Sequence, residues 1–195
     1  KVLNSPVVSW PLRLYNSCPV SDGSASVVLA SEKAAKRLTD TPIWIKGLGA
    51  ASDAANLSKR QSFTEIKSTS KAAEMAYKMA KISPKDIDVA NVHDCFSISE
   101  IMAYEDLGFC KKGEGGKLIE NKDTYIDGKI PVNLDGGLKA KGHPIGATGT
   151  SMIVEITKQL RNEGNKRQAR IKNGIGLVHN LGGTGHTCYV TILSQ

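Results

Sequence analysis

Apolar positions along this chain change period several times, and each change marks an element. "SASVVLAS" is a short continuous apolar run that reads as a buried strand, and "SEKAAKRL" after it reads as a helix capped by Ser31. "PIWIKGLGAA" predicts a second strand ending in glycines. The run "STSKAAEMAYKMAKI" places Ala72, Met75, Met79 and Ile82 at helical spacing. "SPKDIDVANVHD" returns to strand logic, and "SISEIMAYEDLG" is a short helix stopped at Gly108. A longer helix, "TGTSMIVEITKQLRNEG", collects Met152, Ile153, Ile156 and Leu160 on one face. The chain closes on two strands, "IGLVHNLGG" and "HTCYVTIL", joined by a glycine-rich turn.

Strands alternating with helices imply an α/β layered fold, and the closing hairpin makes its sheet mixed. Residues 1–22 are turn-rich, with Pro6, Pro11 and Pro19, and read as a connector or arm preceding a domain over 23–195. Residues 109–131, polar and rich in Gly and Lys, read as a surface excursion.

Composition narrows the function classes. At 195 residues with 40% hydrophobic and 23% charged residues, the chain suits one soluble domain or two small ones. No apolar run reaches the length of a membrane span, and the start at Lys1 reads as a fragment, a processed product or one part of a longer protein. The net charge of +7 is spread among acids, and aromatics are only 5%, so neither a membrane nor a nucleic-acid partner is expected. The four cysteines, Cys18, Cys95, Cys110 and Cys188, include no CxxC pair; reduced thiols in a cytoplasmic setting are expected, without a metal site.

Three strand ends or loops carry groups capable of chemistry. In "GGLKAKGHPIGATGTS", Gly137 and Gly142 have P-loop separation, but His143-Pro144 stands where Lys-Ser/Thr is required, and GxGxxG is missing. The glycines allow tight turning and close approach, and Pro144 biases His143 to an extended backbone ahead of a helix whose N-terminus favours neutral imidazole. "VANVHDCF" places His93 and Cys95 on one side of a strand end, with Asp94 on the other. "GLVHNLGGTGH" adds Asn180 and Gly182. Taken singly, each also fits a structural role: His143 as a cap, His93 as a satisfied core residue, Cys95 as a small buried hydrophobe, the glycines as a hairpin turn.

Together these blocks carry a family resemblance. "GGLKAKGHPIGATG" resembles the Gly-His-Pro block of thiolases, and "HDCF" resembles the variant block of the archaeal and sterol-carrier-protein types, where other members have Asn-Glu-Ala-Phe. "LRLYNSCPVSDGSASVVLAS" is similar to the segment opening the C-terminal half of those enzymes. "HNLGGTG" occupies the place of their Cys-x-Gly motif, with Asn180 in the cysteine position. The four blocks occur in family order and span nearly the whole chain. The resemblance implies the C-terminal half of a thiolase of the archaeal acetyl-CoA acetyltransferase type, with a mixed five-stranded sheet flanked by helices.

The resemblance also implies roles. His143 would be the base that activates the nucleophile, sharing an oxyanion hole with a water held by His93; one such donor is worth about 3–4 kcal/mol of transition-state stabilisation. Cys95 would exchange the substrate's α-proton, the task given elsewhere to the cysteine that Asn180 replaces. Gly182 would lend an N–H to a second oxyanion hole, and Cys18 and Asn180 would lie at the coenzyme A entrance. The substrate would be a coenzyme A thioester, with no cofactor. The nucleophilic cysteine belongs to the family's N-terminal half, so the chain alone is expected to be inactive and to need that half as a partner. A homo-oligomer is expected, with the Met152/Ile153/Ile156 stripe exposed, and relatives work beside a hydroxymethylglutaryl-CoA synthase and an OB-fold protein. Rival readings are a non-catalytic scaffold half, a ketoacyl synthase, or a steroid side-chain aldolase subunit. Ketoacyl synthases have His-Gly-Thr where this chain has His93-Asp94-Cys95, and the aldolases lose the Cys/His set.

Overall fold

Two antiparallel strands at the C-terminus form the centre of the main sheet in a computed structural model that describes residues 1–195. These are β5 (Ile175–Gly182) and β6 (Thr187–Ser194), paired from Ile175↔Ser194 to Gly182↔Thr187. Beyond β6 lies β3 (Trp44–Ser52), antiparallel, and beyond β5 lies β4 (Val89–Val92), parallel, giving the order β3-β6-β5-β4. The sheet is mixed as expected, with four strands where five were expected. The outer edge of β4 is covered by a single parallel bridge, Ala90↔Val132: Ala90 N–H donates to Pro131 O at 2.9 Å and Asn133 N–H to Ala90 O at 3.0 Å. Pro131 lacks the donor that would extend the pairing one way, and on the other side Asn133, at φ +52°, offers its side-chain oxygen to Val92 N–H at 2.8 Å in place of a ladder carbonyl.

Six α-helices accompany the sheet: α1 (Glu32–Leu38), α2 (Lys67–Ala80), α3 (Ser97–Asp106), α4 (Gly115–Glu120), α5 (Gly137–Lys141) and α6 (Ile145–Leu160). Alternation along β5 divides its side chains between the two sheet faces. Leu177 and Leu181 join Ala72, Ala76, Val190 and Ile192 on the α2/α3 face, while Val178 joins Met152, Ile156 and Leu160 on the α6 face. None of these helices is long and apolar enough to cross a membrane.

Three expectations are corrected here. The stripe of α6 is not exposed: Met152 and Ile156 are fully buried against β4, β5 and β6, because their face of the helix is the one the sheet covers. The helix expected over the Ala72/Met75/Met79 run is present as α2, and its buried face is Thr69, Ala72, Ala73 and Ala76, with Met75 and Met79 exposed. The reason lies in β3, where a Cβ on Gly49 would stand 1.8 Å from Ala72 O and one on Gly47 2.3 Å from Ala76 O. Helix and strand backbones approach too closely for any but small side chains. The run "SASVVLAS" is in no strand, and Val28 and Leu29 are exposed, because no neighbouring segment offers it a ladder. Residues 109–131 are more than a surface excursion, since they form α4 and bury Gly115, Asp123, Thr124 and Ile130.

Within residues 1–22, β1 (Val7–Ser9) and β2 (Leu12–Arg13) form a separate two-stranded sheet. The chain then runs from Ser17 to Ser31 without regular structure, apart from a bridge at Ser17↔Phe96. α1 follows, its Ala34 N–H donating to Ser31 Oγ at 3.4 Å.

Candidate active site

The end of β4, the loop before α6 and the end of β5 come together at one side of the sheet. His93 directly follows β4, His143 lies two residues before α6, and Asn180 is near the end of β5. The two imidazoles meet edge to face with centroids 4.9 Å apart. His93 Nδ1 is 2.9 Å from Asn180 Oδ1. An amide oxygen only accepts, so His93 Nδ1 carries the hydrogen and Nε2 presents a lone pair. Asn180 lies over Gly149 of α6, where a Cβ would come within 2.6 Å of its Nδ2.

His143 is fixed similarly. Its Nδ1 is 2.7 Å from Thr148 Oγ1, and the Thr148 hydroxyl donates to Pro144 O at 3.1 Å. With that hydrogen committed, Nδ1 is the donor and Nε2 is left as the basic nitrogen. The backbone N–H of His143 donates to Ser21 Oγ at 2.8 Å. Gly142 precedes it at φ +87°, and a Cβ there would fall 2.3 Å from Ser21 Oγ, so both conformation and space call for glycine.

Burial, and not chiefly a helix terminus, keeps both rings neutral. It lowers the His93 pKa to about 4, helped by repulsion from a charged His143 and opposed by the Asn180 hydrogen bond. It also lowers that of His143, against an attraction from Asp94. At neutral pH both are acceptors at Nε2, the state a general base requires.

Cys95 is half-buried; burial raises its thiol pKa, partly opposed by a hydrogen bond with Ser99. Its thiol is therefore held protonated, as a proton donor should be. Cys18 reaches the same region, its N–H donating to Cys95 O at 2.8 Å. Residues Cys18–Ala25 and His143–Ala147 line an open cleft of about 680 Å³. Gly182 closes β5 on the same strand face as Asn180, opposite Thr187. The structure thus groups His93, His143 and Asn180 by direct contact, joins Cys18 to Cys95 through the backbone, and sets Gly182 two residues further along β5. No group of three or more His, Cys, Asp or Glu side chains is arranged to hold a metal ion.

Four supporting groups were not singled out from the sequence. Thr148 and Ser21 orient His143, as above. Asp94, 2% exposed, accepts from Leu138 N–H at 2.7 Å and lies 3.3 Å from Lys139 Nζ, tying the loop after β4 to α5. His179 is fully buried beneath the site; its Nδ1 accepts from His93 N–H at a long 3.5 Å, and its Nε2 is 3.0 Å from Thr69 Oγ1. The sequence signal for Asp94 was its position on the opposite side of the strand end from His93 and Cys95. For His179 it was the same alternation applied to β5, which turns it away from Asn180 and into the α2 layer.

Comparison with known proteins gives the family of this fold. The family described as "Thiolase C-terminal domain-like" matches residues 49–195. The acetyl-CoA acetyltransferase of Methanothermobacter thermautotrophicus is 51% identical over the whole chain, which covers 51% of that protein. Sterol carrier protein 2 of Oryctolagus cuniculus is 36% identical over 98% of the chain and 36% of its own length. Among solved structures, the Ltp2-ChsH2(DUF35) aldolase superposes with a TM-score of 0.84 at 25% identity, over 99% of this chain and 50% of that one. The chain spans about half the length, or less, of the curated relatives it matches. Its sheet and helices, the blocks in their order and the family match together establish that the chain belongs to the thiolase family, as a thiolase C-terminal domain-like member.

Proposed function

We propose that this chain supplies the base, the proton donor and the oxyanion-binding groups of an acetyl-CoA C-acetyltransferase, the nucleophilic cysteine coming from an N-terminal thiolase half. The observation that carries this reading is the His93–His143 contact, with both Nδ1 atoms committed and both Nε2 atoms free. In the cleavage direction, His143 Nε2 takes the proton of the nucleophilic thiol. The thiolate attacks the ketone carbon of acetoacetyl-CoA, the carbon–carbon bond breaks, and the enolate of acetyl-CoA leaves. Its oxygen is held by the protonated His143 and by a water that donates to His93 Nε2 and to the enolate. Cys95 S–H protonates the enolate carbon, which matches a thiol whose pKa burial raises. Coenzyme A then gives its thiol proton to the Cys95 thiolate and takes the acetyl group, the N–H of Gly182 binding the second oxyanion, and the departing nucleophile recovers its proton from His143.

The experiment combines this chain with the N-terminal half of the Methanothermobacter relative and follows acetoacetyl-CoA thiolysis. The chain alone is expected to be inactive and the complex active. His143→Ala and Cys95→Ser in the complex should each lower kcat by about 10²–10⁴-fold, the usual contribution of a general acid or base. Full activity in both variants would reject the assignments.

An aldolase subunit is the second reading, favoured by the TM-score of 0.84 to an aldolase. Retention of His93, Cys95 and His143 counts against it. Retro-aldol cleavage by the complex, without dependence on coenzyme A, would favour it.

A further inference from the structure

Cys18 and Cys95 lie opposite one another on two segments that meet only briefly. Ser17 and Phe96 form an isolated antiparallel bridge, and the next residue pair is joined by Cys18 N–H donating to Cys95 O at 2.8 Å. Directly opposed residues of an antiparallel pair send their side chains to the same face. In a regular hydrogen-bonded antiparallel pair the Cα atoms are about 5.5 Å apart, inside the range of roughly 4.4–6.8 Å that disulfides span, and the Cβ atoms must draw together by up to about 1 Å; here a single hydrogen bond joins the pair, on two segments without a ladder to hold them apart. Both thiols are free and both residues are half-buried. Each is close enough for the charge of Cys18 to act on the ionisation of Cys95. The other two cysteines lie apart from this contact: Cys188 is fully buried in β6, and Cys110 packs with the core beside α3 and α4.

We propose that Cys18 and Cys95 are a covalent modification site, a cross-strand dithiol that closes to an intramolecular disulfide. Two S–H bonds break, one S–S bond forms, and the two protons and two electrons pass to the oxidant. A low-molecular-weight disulfide serves, accepting them as it is reduced to two thiols. The bond pins the segment that begins at Cys18, and with it one wall of the cleft shared with His143. It also removes the Cys95 S–H. Loss of turnover on oxidation rests on the function proposed above; formation of the bond does not. Both thiols have raised pKa values, chiefly from burial, so closure should speed up as pH rises and the attacking thiolate becomes populated.

The test exposes the 195-residue chain to oxidised glutathione, folded and in guanidinium chloride, and maps disulfide peptides by mass spectrometry. In the folded chain the Cys18–Cys95 link should dominate. In denaturant it should give way to Cys95–Cys110, which closes a far shorter loop. Cys110→Ser should leave the folded-state product unchanged, and Cys18→Ser should abolish it. Absence of the Cys18–Cys95 peptide from the folded chain, or the same pairing in both states, would overturn the proposal.

Discussion

The His143 ring meets that of His93 edge to face, 4.9 Å between centroids and 83° between planes, so a proton on either ring opposes a proton on the other. Burial and this repulsion hold His93 at about 4, against an ordinary value of 6.5. A histidine NMR titration should find both rings below 6.5, with His93 the lower. His143→Asn removes the neighbouring positive charge and should move the His93 midpoint upward. A downward or absent shift would remove the electrostatic link between the rings.

Stability should follow the same groups. His93 and His179 have folded-state values of about 4 and about 3, both lowered first by burial. Below 6.5 the unfolded chain therefore binds more protons than the folded one, and stability rises with pH across that interval. It is complete above about 6.5 and is lost progressively as pH falls toward 4 and 3. Urea midpoints between pH 7 and pH 4 should fall steadily in the wild type and less steeply in His179→Gln. A parallel slope would exclude His179 as a source.

A buried carboxylate links two of the site's loops. Asp94 accepts from Leu138 N–H at 2.7 Å and pairs with Lys139 at 3.3 Å. Asp94→Ala strands both partners, but the Lys139 side chain keeps 27% exposure and some hydration. The cost should be about 2–3 kcal/mol, below the 3–5 kcal/mol typical of a fully buried pair. Asp94→Asn retains an acceptor for Leu138 and should cost roughly half as much. Denaturant unfolding of the two variants measures both values.

Much of this was legible in the sequence, for reasons particular residues make plain. Strands β3 to β6 and helices α2, α3 and α6 follow from periodicity, because burial on a sheet face imposes the pattern directly, and α1 follows from its Ser31 cap. His93, Cys95, His143 and Asn180 stood out as polar groups at strand ends and beside glycines. What was not legible depended on partners distant in sequence. The apolar run at Val27–Leu29 has strand character but meets no ladder, and a run cannot report whether a neighbour exists. The spacing of Ala72, Met75 and Met79 marks a helix, but Gly47 and Gly49, on another element, decide that its alanines and not its methionines are buried. Thr148, Ser21 and His179 carry ordinary residue types, and only the fold brings them to the rings they support.

The close packing of α2 on β3 yields its own prediction. Gly49→Ala would press a methyl carbon to 1.8 Å from Ala72 O, a backbone atom that moves only with the helix. The loss should be about 3 kcal/mol, at the upper end for overpacking. Gly116→Ala is the control: it lies in α4 with nothing within 4 Å of the added carbon. It should stabilise by about 0.5–1 kcal/mol through helix preference. Thermal unfolding of the two variants should therefore shift in opposite directions.

Thr148 gives the most direct test of how the base is prepared. Its hydroxyl donates to Pro144 O and accepts from His143 Nδ1, so one buried side chain selects which ring nitrogen is basic. Thr148→Val keeps the shape and removes the oxygen, leaving Nδ1–H without a partner; the stability cost should be about 1–2 kcal/mol. More informative is the tautomer, read from the ¹⁵N shifts of His143. The wild type should be Nδ1-protonated, Thr148→Val should show a mixture, and Thr148→Ser should restore the wild-type pattern. In the complex with the N-terminal half, kcat should fall about 10-fold in Thr148→Val and recover in Thr148→Ser, with KM little changed, because the hydroxyl orients the base and does not touch substrate. An unchanged tautomer in Thr148→Val would mean that the ring is fixed by its backbone bond to Ser21 and by the His93 contact, and that Thr148 only fills space.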